Sequence, residues 1–493
     1  MKILLVYPEN PDTFWSFKNA IKFISKKSNE PPLGLLTVAA MLPEEWEKRL
    51  VDTNVTKLED QDLKWADYVF LSAMNVHIDS IKAIIKRCNT LGAKIVAGGP
   101  LFTTEYEEFP TVDHLVLNEA EVTLPMFLKD LENGIPRHIY KSDEFPEISQ
   151  TPVPMWNLLD RKKYSSMSVQ YSRGCPFDCE FCSITMLNGH RPRTKTTSQL
   201  ISELDALYAN QWKGAVFIVD DNFIGNKKKL KSEVLPALIE WSEKKKYPFF
   251  FTTEVSINLA DDDELIELMV KAGFERIFVG IETPHDESLN ECGKLQNRKR
   301  NLIESVKKLQ QSGLVVYGGF IVGFDHDPPS IFEQQINFIQ QSGITTAMVG
   351  LLNAPNGTKL FKRLESENRL LGKIMTGDTM DSSINFIPKM NPHILVEGYR
   401  NILKTIYSPK AYYERVKTLL CEFQLQINKP LAITFADIKA FFRSIWILGF
   451  RESGKRFYWK LFFLSLFKYP KKFALAINMA IFGFHFRKIV DTI

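Results

Sequence analysis

Three cysteines, Cys175, Cys179 and Cys182, fall within eight residues in the run Arg173-Gly-Cys175-Pro-Phe-Asp-Cys179-Glu-Phe181-Cys182. Three thiolates at this spacing can each take one iron of a [4Fe-4S] cube and leave the fourth iron open to a ligand from outside the protein. A closed electron-transfer cluster or a structural zinc site takes four protein ligands, and Cys88, Cys292 and Cys421 are solitary and far away in sequence. A zinc knot completed by His190 is the alternative, but nothing beside it offers a second ligand pair. An open iron points to a cluster that binds and reduces something.

The elements around these thiols alternate. From residue 168 onward, strand-like runs at 168–171, 215–220, 249–254, 276–281, 315–319 and 346–352 are separated by helical stretches near 198–210, 228–245, 262–272, 297–312, 329–342 and 358–369. Six such units fit an open, six-unit relative of the (β/α)8 barrel, whose chemistry sits at the carboxyl ends of the strands. Polar residues collect there: Asp220, Asp221 and Asn222 after the second run, Glu254 after the third, Glu282 after the fourth, and Gly318 to Gly323, which includes Phe320, Ile321 and Val322, after the fifth.

The first 145 residues read as a second α/β unit, a doubly wound parallel sheet with strand-like runs at 3–7, 47–51, 68–72, 94–97 and 114–117. Ligands of such sheets sit outside the carboxyl ends, which here carry Asn10, Asp52 with Asn54, Ser72, Gly98 with Gly99, and Glu119. The glycine pair would let a flat ligand or its tail come close to the backbone. A dinucleotide is disfavoured because no GxGxxG follows the first run. Prolines spaced through 146–167 exclude both helix and central strand, so this stretch is a linker. The barrel occupies 168–372 and a mainly helical region 373–493.

The CxxxCxxC spacing with an aromatic before the last cysteine resembles the radical S-adenosylmethionine (SAM) enzymes. The first unit resembles the cobalamin-binding domain that precedes many of their barrels. The 219–226 and 280–284 segments, Pro31-Pro-Leu-Gly-Leu35 and the 407–413 segment resemble the branch that contains the hopanoid C-2 methylases. The resemblance implies that the open iron chelates SAM through its amino and carboxylate groups. It places Phe181 against the adenine, Asp220 to Asn222 at the amine, Glu254 and Glu282 at the ribose or sulfonium, and Phe320 to Val322 at the adenine edge. Members that ligate cobalt from below carry DxHxxG, whereas this chain has Asp52-Thr-Asn54-Val-Thr-Lys57. A bound cobalamin should therefore lack a histidine from that motif, and His77 reads as a surface or outer residue at the start of the next helix.

Composition is that of a folded protein, with 45% apolar and 24% charged residues in 493. Few cysteines and no signal-like start point to the cytoplasm, and no uninterrupted apolar run approaches a membrane span. The net charge of +4 is uneven: residues 439–493 hold 11 Lys/Arg against two acids, interleaved with Phe, Tyr and Trp. Such a tail suits the inner face of an anionic membrane, or a helical cap packed on the catalytic body; nucleic acid is not the expected partner.

The resemblance implies a methylase that uses one SAM to methylate cobalamin and another to make a 5'-deoxyadenosyl radical, adding a methyl to an unactivated carbon of a lipophilic, polycyclic or isoprenoid, substrate. Flavodoxin or ferredoxin is the expected reductant. Cyclisation, carbon-carbon coupling or desaturation without methyl transfer is the alternative within the same chemistry. An electron carrier or membrane scaffold would leave the strand-end carboxylates without a purpose, and no second cysteine cluster supports methylthiolation.

Overall fold

Apolar runs bounded by charge build two parallel sheets. The computed structural model describes residues 1–372, 375–378, 380–425 and 435–493. In its first sheet, β1 (Lys2–Tyr7), β2 (Glu47–Asp52), β3 (Tyr68–Ser72), β4 (Lys94–Gly98), β5 (His114–Val116) and β6 (Ile139–Tyr140) lie in the order β2-β1-β3-β4-β5-β6. All its pairings are parallel. Leu4, Val6, Val69 and Leu71 pack into one apolar layer and Ile3, Leu5, Tyr68 and Phe70 into another, as a sheet covered on both faces requires. Strand order reverses between β1 and β3, which opens a crevice at their carboxyl ends. The edge strand β6 has only two residues, too few for a periodic signal in the sequence.

The second sheet runs β7 (Ser166–Val169), β10 (Gly214–Ile218), β11 (Phe249–Val255), β12 (Phe274–Glu282), β13 (Val315–Val322) and β14 (Ala347–Leu351), in that spatial order and all parallel. A short antiparallel pair, β8 (Ser172–Arg173) with β9 (Arg193–Thr194), flanks it. Two boundaries differ from expectation. β7 stops at Val169 because the Asp220 carboxylate takes the Tyr171 N–H and the Ser172 hydroxyl out of the ladder. β13 runs on through Val322 instead of ending at its glycines: a Cβ on Gly319 would meet the Phe278 ring at 2.8 Å, and one on Gly318 the Phe320 ring at 2.8 Å. The glycines make room for rings within the sheet rather than ending it.

The proline-rich stretch forms three short 3-10 turns, Ile148–Gln150, Trp156–Leu158 and Arg161–Lys163. It delivers the buried Tyr164 to the first sheet, where its hydroxyl donates to Asp52 Oδ2 at 2.9 Å.

The carboxyl-terminal region is helical, and its basic tail divides into two parts. Helix Phe473–Val490 is a core element, with Ala476, Met479, Phe486 and Ile489 buried. A Cβ on Gly483 would collide with the Tyr412 ring, so glycine is what lets these helices close. The segment Pro470–Val490, which charges interrupt at both ends, is by length and mean hydropathy long and apolar enough to cross a membrane, but more than half of it is buried within the protein. Its buried His485 is bound to Phe14 O through Nε2 at 3.0 Å. Phe14 belongs to an excursion at 13–25, which leaves the first α/β unit after β1 and adds Phe14, Phe17 and Phe23 to the core beneath the final helix. The helices Phe435–Ser444 and Lys455–Lys468 keep an exposed face.

Candidate functional site

The loop carrying the three cysteines begins where β8 leaves the sheet. Gly174 has φ 95°, in the left-handed region, and a Cβ there would meet the carbonyl oxygens of Asn188, Gly189 and Arg191 at 2.9 Å, so only glycine fits. Its N–H donates to Asp221 Oδ2 at 2.9 Å, and Asn188 Nδ2 donates to the same oxygen at 3.0 Å. Asp220 accepts from Tyr171 N at 2.8 Å and from the Ser172 hydroxyl at 2.6 Å, and burial pushes its carboxyl up to about 7. Asp220 thus holds the loop with both oxygens, and Asp221 holds it through Oδ2 alone. Asn222 bonds Ser256 and lies beside Cys175.

The three thiols lie within electrostatic reach of one another, and burial raises each, Cys182 to about 12. Buried thiols ionise when a cation replaces the proton. Among the described residues no three His, Cys, Asp or Glu converge as ligands of a single ion, and one thiolate per iron of a cube suits the set. Cys292, distant in sequence, comes close: its carbonyl accepts the Glu180 N–H at 2.9 Å. Its thiol donates to Leu289 O and packs in an apolar cluster with Phe324 and Leu352, within electrostatic reach of Cys179. Behind the loop, Arg363 bonds Glu180 at 2.6 Å and Asp325 at 3.0 Å, while Arg369 grips Asp325 at 2.6 Å.

β12 ends in an irregularity between Gly280 and Glu282, and Glu282 takes φ 62°. That bend folds its side chain back over Gly280, where a Cβ would meet both the Glu282 carboxylate and the Lys294 ammonium. Lys294 Nζ donates to Glu282 Oε1 at 2.7 Å. Burial alone would lower the ammonium, but Glu282 and Cys179 hold it above its usual value. Lys294 is thus a fixed positive charge beside the thiols, and nothing in the sequence around it signals that. Glu254 on β11 makes no hydrogen bond or ion pair with any described residue, and burial, with Asp221 and then Glu30 adding, pushes it up to about 8. An unpartnered carboxyl so placed awaits a ligand. Phe181 and Ile321 pack into one apolar cluster with Phe324. Phe320 and Val322 instead point into the core, Phe320 against Phe338.

The first sheet presents its carboxyl edge to this site. Glu30, missed by sequence reasoning because it falls one residue outside the Pro31–Leu35 segment, is pushed up to about 7 by burial and lies near Tyr7 and Glu254. Glu119 is not open to a ligand: it accepts from Arg173 Nη1 at 2.7 Å and Arg193 Nη2 at 2.6 Å, and Glu121 accepts from Arg173 Nη2 at 2.8 Å. This buried network ties the residue before Gly174 to the first α/β unit.

At the crevice between β1 and β3, His77 is fully buried rather than on the surface. Its Nδ1 accepts the Met74 N–H at 3.1 Å, so Nε2 carries the proton and donates to Asn10 Oδ1 at 2.6 Å. Burial lowers its pKa to about 4, and neither nitrogen is left for a metal. Asn54 joins Asp52, Pro8 O and Asn10 N into one network. A Cβ on Gly99 would meet Ser72 Oγ at 2.7 Å and one on Gly98 would meet Val116 O at 2.6 Å, so the glycine pair also serves strand packing. Asn118, at the end of β5 with φ 62°, has a buried Oδ1 without a partner. A corrin amide would satisfy it, which fits a cobalamin held from this edge.

Three family models match the chain: the B12 binding domain over residues 23–128, the Radical SAM superfamily over 169–339 and a domain of unknown function (DUF4070) over 358–493. An uncharacterized methyltransferase of Synechocystis sp. is 39% identical over 99% of this chain and 91% of its own length. The hopanoid C-2 methylase of Rhodopseudomonas palustris is 32% identical over 93% of this chain and 88% of its own length. In fold, the chain matches the radical S-adenosylmethionine methyltransferase TsrM from Kitasatospora setae at a TM-score of 0.64 and 13% identity, covering 100% of this chain and 99% of that one.

Proposed function

The chain belongs to the cobalamin-dependent radical S-adenosylmethionine methyltransferases, and from that membership we propose that it methylates an unactivated carbon of a lipophilic, polycyclic or isoprenoid, substrate at the inner face of a membrane. Its cofactors are SAM, cobalamin and, by homology, a [4Fe-4S] cluster. The reduced cluster with SAM supplies a 5'-deoxyadenosyl radical and cobalamin supplies the methyl group, while the protein orients both and excludes water.

The observation that carries this reading is that both sheets turn their carboxyl edges to one crevice. Asn75 Nδ2 reaches Met375 O at 3.4 Å and Asn356 Nδ2 reaches Thr104 O at 3.1 Å across it. Cys175, Cys179 and Cys182 are the residues that would hold the cluster. Glu254 would take SAM's ribose hydroxyls or ammonium, the Glu282–Lys294 pair would balance the sulfonium and cluster charge, and Phe181 with Ile321 would wall the adenine. Asn10, Asn54 and Asp52 would form the polar rim under cobalamin, with Ser72 and Asn118 as donor and acceptor beside it. The substrate enters between the two edges, with Glu30 facing it. Relatives include the hopanoid C-2 methylase, which supports a lipid-like substrate, and flavodoxin or ferredoxin suits the one-electron reduction.

Anaerobic turnover with methyl-labelled SAM and a lipid extract tests the reaction. The expected product is a lipid heavier by one labelled methyl; a new ring or double bond without label would establish the alternative radical transformation. The cobalt site has its own test. Because both His77 nitrogens are engaged, protein-bound cob(II)alamin should show no nitrogen superhyperfine splitting in its electron paramagnetic resonance spectrum, with or without His77→Ala. Splitting that disappears in His77→Ala would overturn this assignment.

A further inference from the structure

We propose that the uncovered faces of the 435–451 and 455–468 helices form one docking surface for an anionic lipid bilayer. The inference deepens the membrane-proximal part of the reading above, and its test uses no turnover, so failure of one is separable from failure of the other.

Ile438, Phe442, Trp446 and Phe450 recur every fourth residue and are 45%, 63%, 56% and 58% exposed. In the α-helix Phe435–Ser444 a four-residue step overshoots one turn by about 40°. The chain then widens into the π-helix Ile445–Arg451, where four residues fall short of a turn. The drift reverses, and the stripe stays on one face. The neighbouring helix Lys455–Lys468 adds Phe463, Leu466 and Phe467, the last 78% exposed.

The rings join across the two helices. Trp446 lies 6.2 Å from Phe450, Phe450 5.9 Å from Trp459, Trp459 5.8 Å from Phe463, and Phe463 6.2 Å from Phe467. The opposite sides are buried through Ala440, Leu448, Tyr458 and Leu461. Trp459 Nε1 donates to Gly449 O at 2.9 Å, and Ser444 and Tyr458 share a buried hydrogen bond, so the patch sits on a rigid base. Contiguous exposed apolar surface of this kind marks an interaction site.

Charge selects the occupant. Lys439, Arg451, Lys455, Arg456, Lys460 and Lys468 are exposed around the rings and make no ion pair with a described residue. A second copy would bring the same cations against them, whereas an anionic leaflet supplies the complement and accepts the rings between its headgroups.

The full chain should sediment with phosphatidylcholine vesicles only when phosphatidylglycerol is included, and less so at high salt. The double variant Trp446→Ser, Phe467→Ser should lose at least about tenfold in partitioning while melting like the parent, because both side chains are exposed. Lys455→Glu with Lys460→Glu should remove most of the salt-sensitive part. Brominated lipid should quench the parent's fluorescence more than that of Trp446→Phe, a comparison that does not depend on the stability of the double variant. The proposal is overturned if the parent ignores anionic vesicles, if the double variant binds as well as the parent, or if the parent is a dimer that the double variant splits into monomers.

Discussion

Cys175→Ala, Cys179→Ala and Cys182→Ala are each expected to reduce 5'-deoxyadenosine formation to background in the anaerobically reconstituted protein. Each thiolate would take a different iron, so removing one would leave a second iron without a protein ligand, and the cluster would no longer hold SAM in a fixed pose. The control is Cys292→Ser. This thiol is close to the loop but packed in the Phe324 cluster, so the variant should keep its iron and its SAM cleavage despite some loss of packing. Full 5'-deoxyadenosine formation by any of the three alanine variants would sink the cluster assignment. Loss of iron in Cys292→Ser would make it a fourth ligand and close the site.

Arg173→Met is expected to destabilise the protein by about 3–5 kcal/mol, the cost of leaving a buried charge without its partner. The guanidinium serves Glu119 at 2.7 Å and Glu121 at 2.8 Å, with side-chain exposures of 15%, 7% and 11% for the three residues. Arg193 remains to hold Glu119, but Glu121 is left with its own backbone N–H and the Thr151 hydroxyl at 2.9 Å, neither of them charged. Chemical denaturation measures the loss, and adding Glu121→Gln to Arg173→Met should recover part of it by removing the stranded charge. A variant as stable as the parent would show that water replaces the guanidinium at this interface. Because Gly174 follows directly, the same variant should uncouple the two cofactors: SAM cleavage should outlast methyl transfer.

The cysteine triplet and the two alternating sheets were legible because their signals are local. Spacing is read within eight residues, and strands of parallel sheets appear as short apolar runs between helices. Side chains paired across the fold were not. Glu119 reads as a strand-end ligand, yet it meets an arginine 74 residues away, and Lys294 becomes part of the site only because Glu282 bends backward. Asp220 and Asp221 carry the right chemistry for ligands but support the loop, Asp220 through both oxygens and Asp221 through one. Glycine misled at Gly318–Gly319, where it marks room for neighbouring rings inside a strand. In the tail, periodicity registers both a core stripe and an exposed one, and only packing separates Phe473–Val490 from the helices before it.

The excursion at 13–25 sets the order in which the protein can mature. Asn19 donates to His485 across 466 residues, and Phe14 and Phe17 lie against Phe482 and Phe486. The first α/β unit can form its sheet as soon as residues 1–140 leave the ribosome, but these aromatic side chains have no surface to settle on until the final helix emerges. Vectorial folding, one domain after another, therefore waits here on the helix Phe473–Val490. A chain that lacks that helix leaves Phe14 and Phe17 without the rings they pack on, so the two ends of the described fold depend on each other.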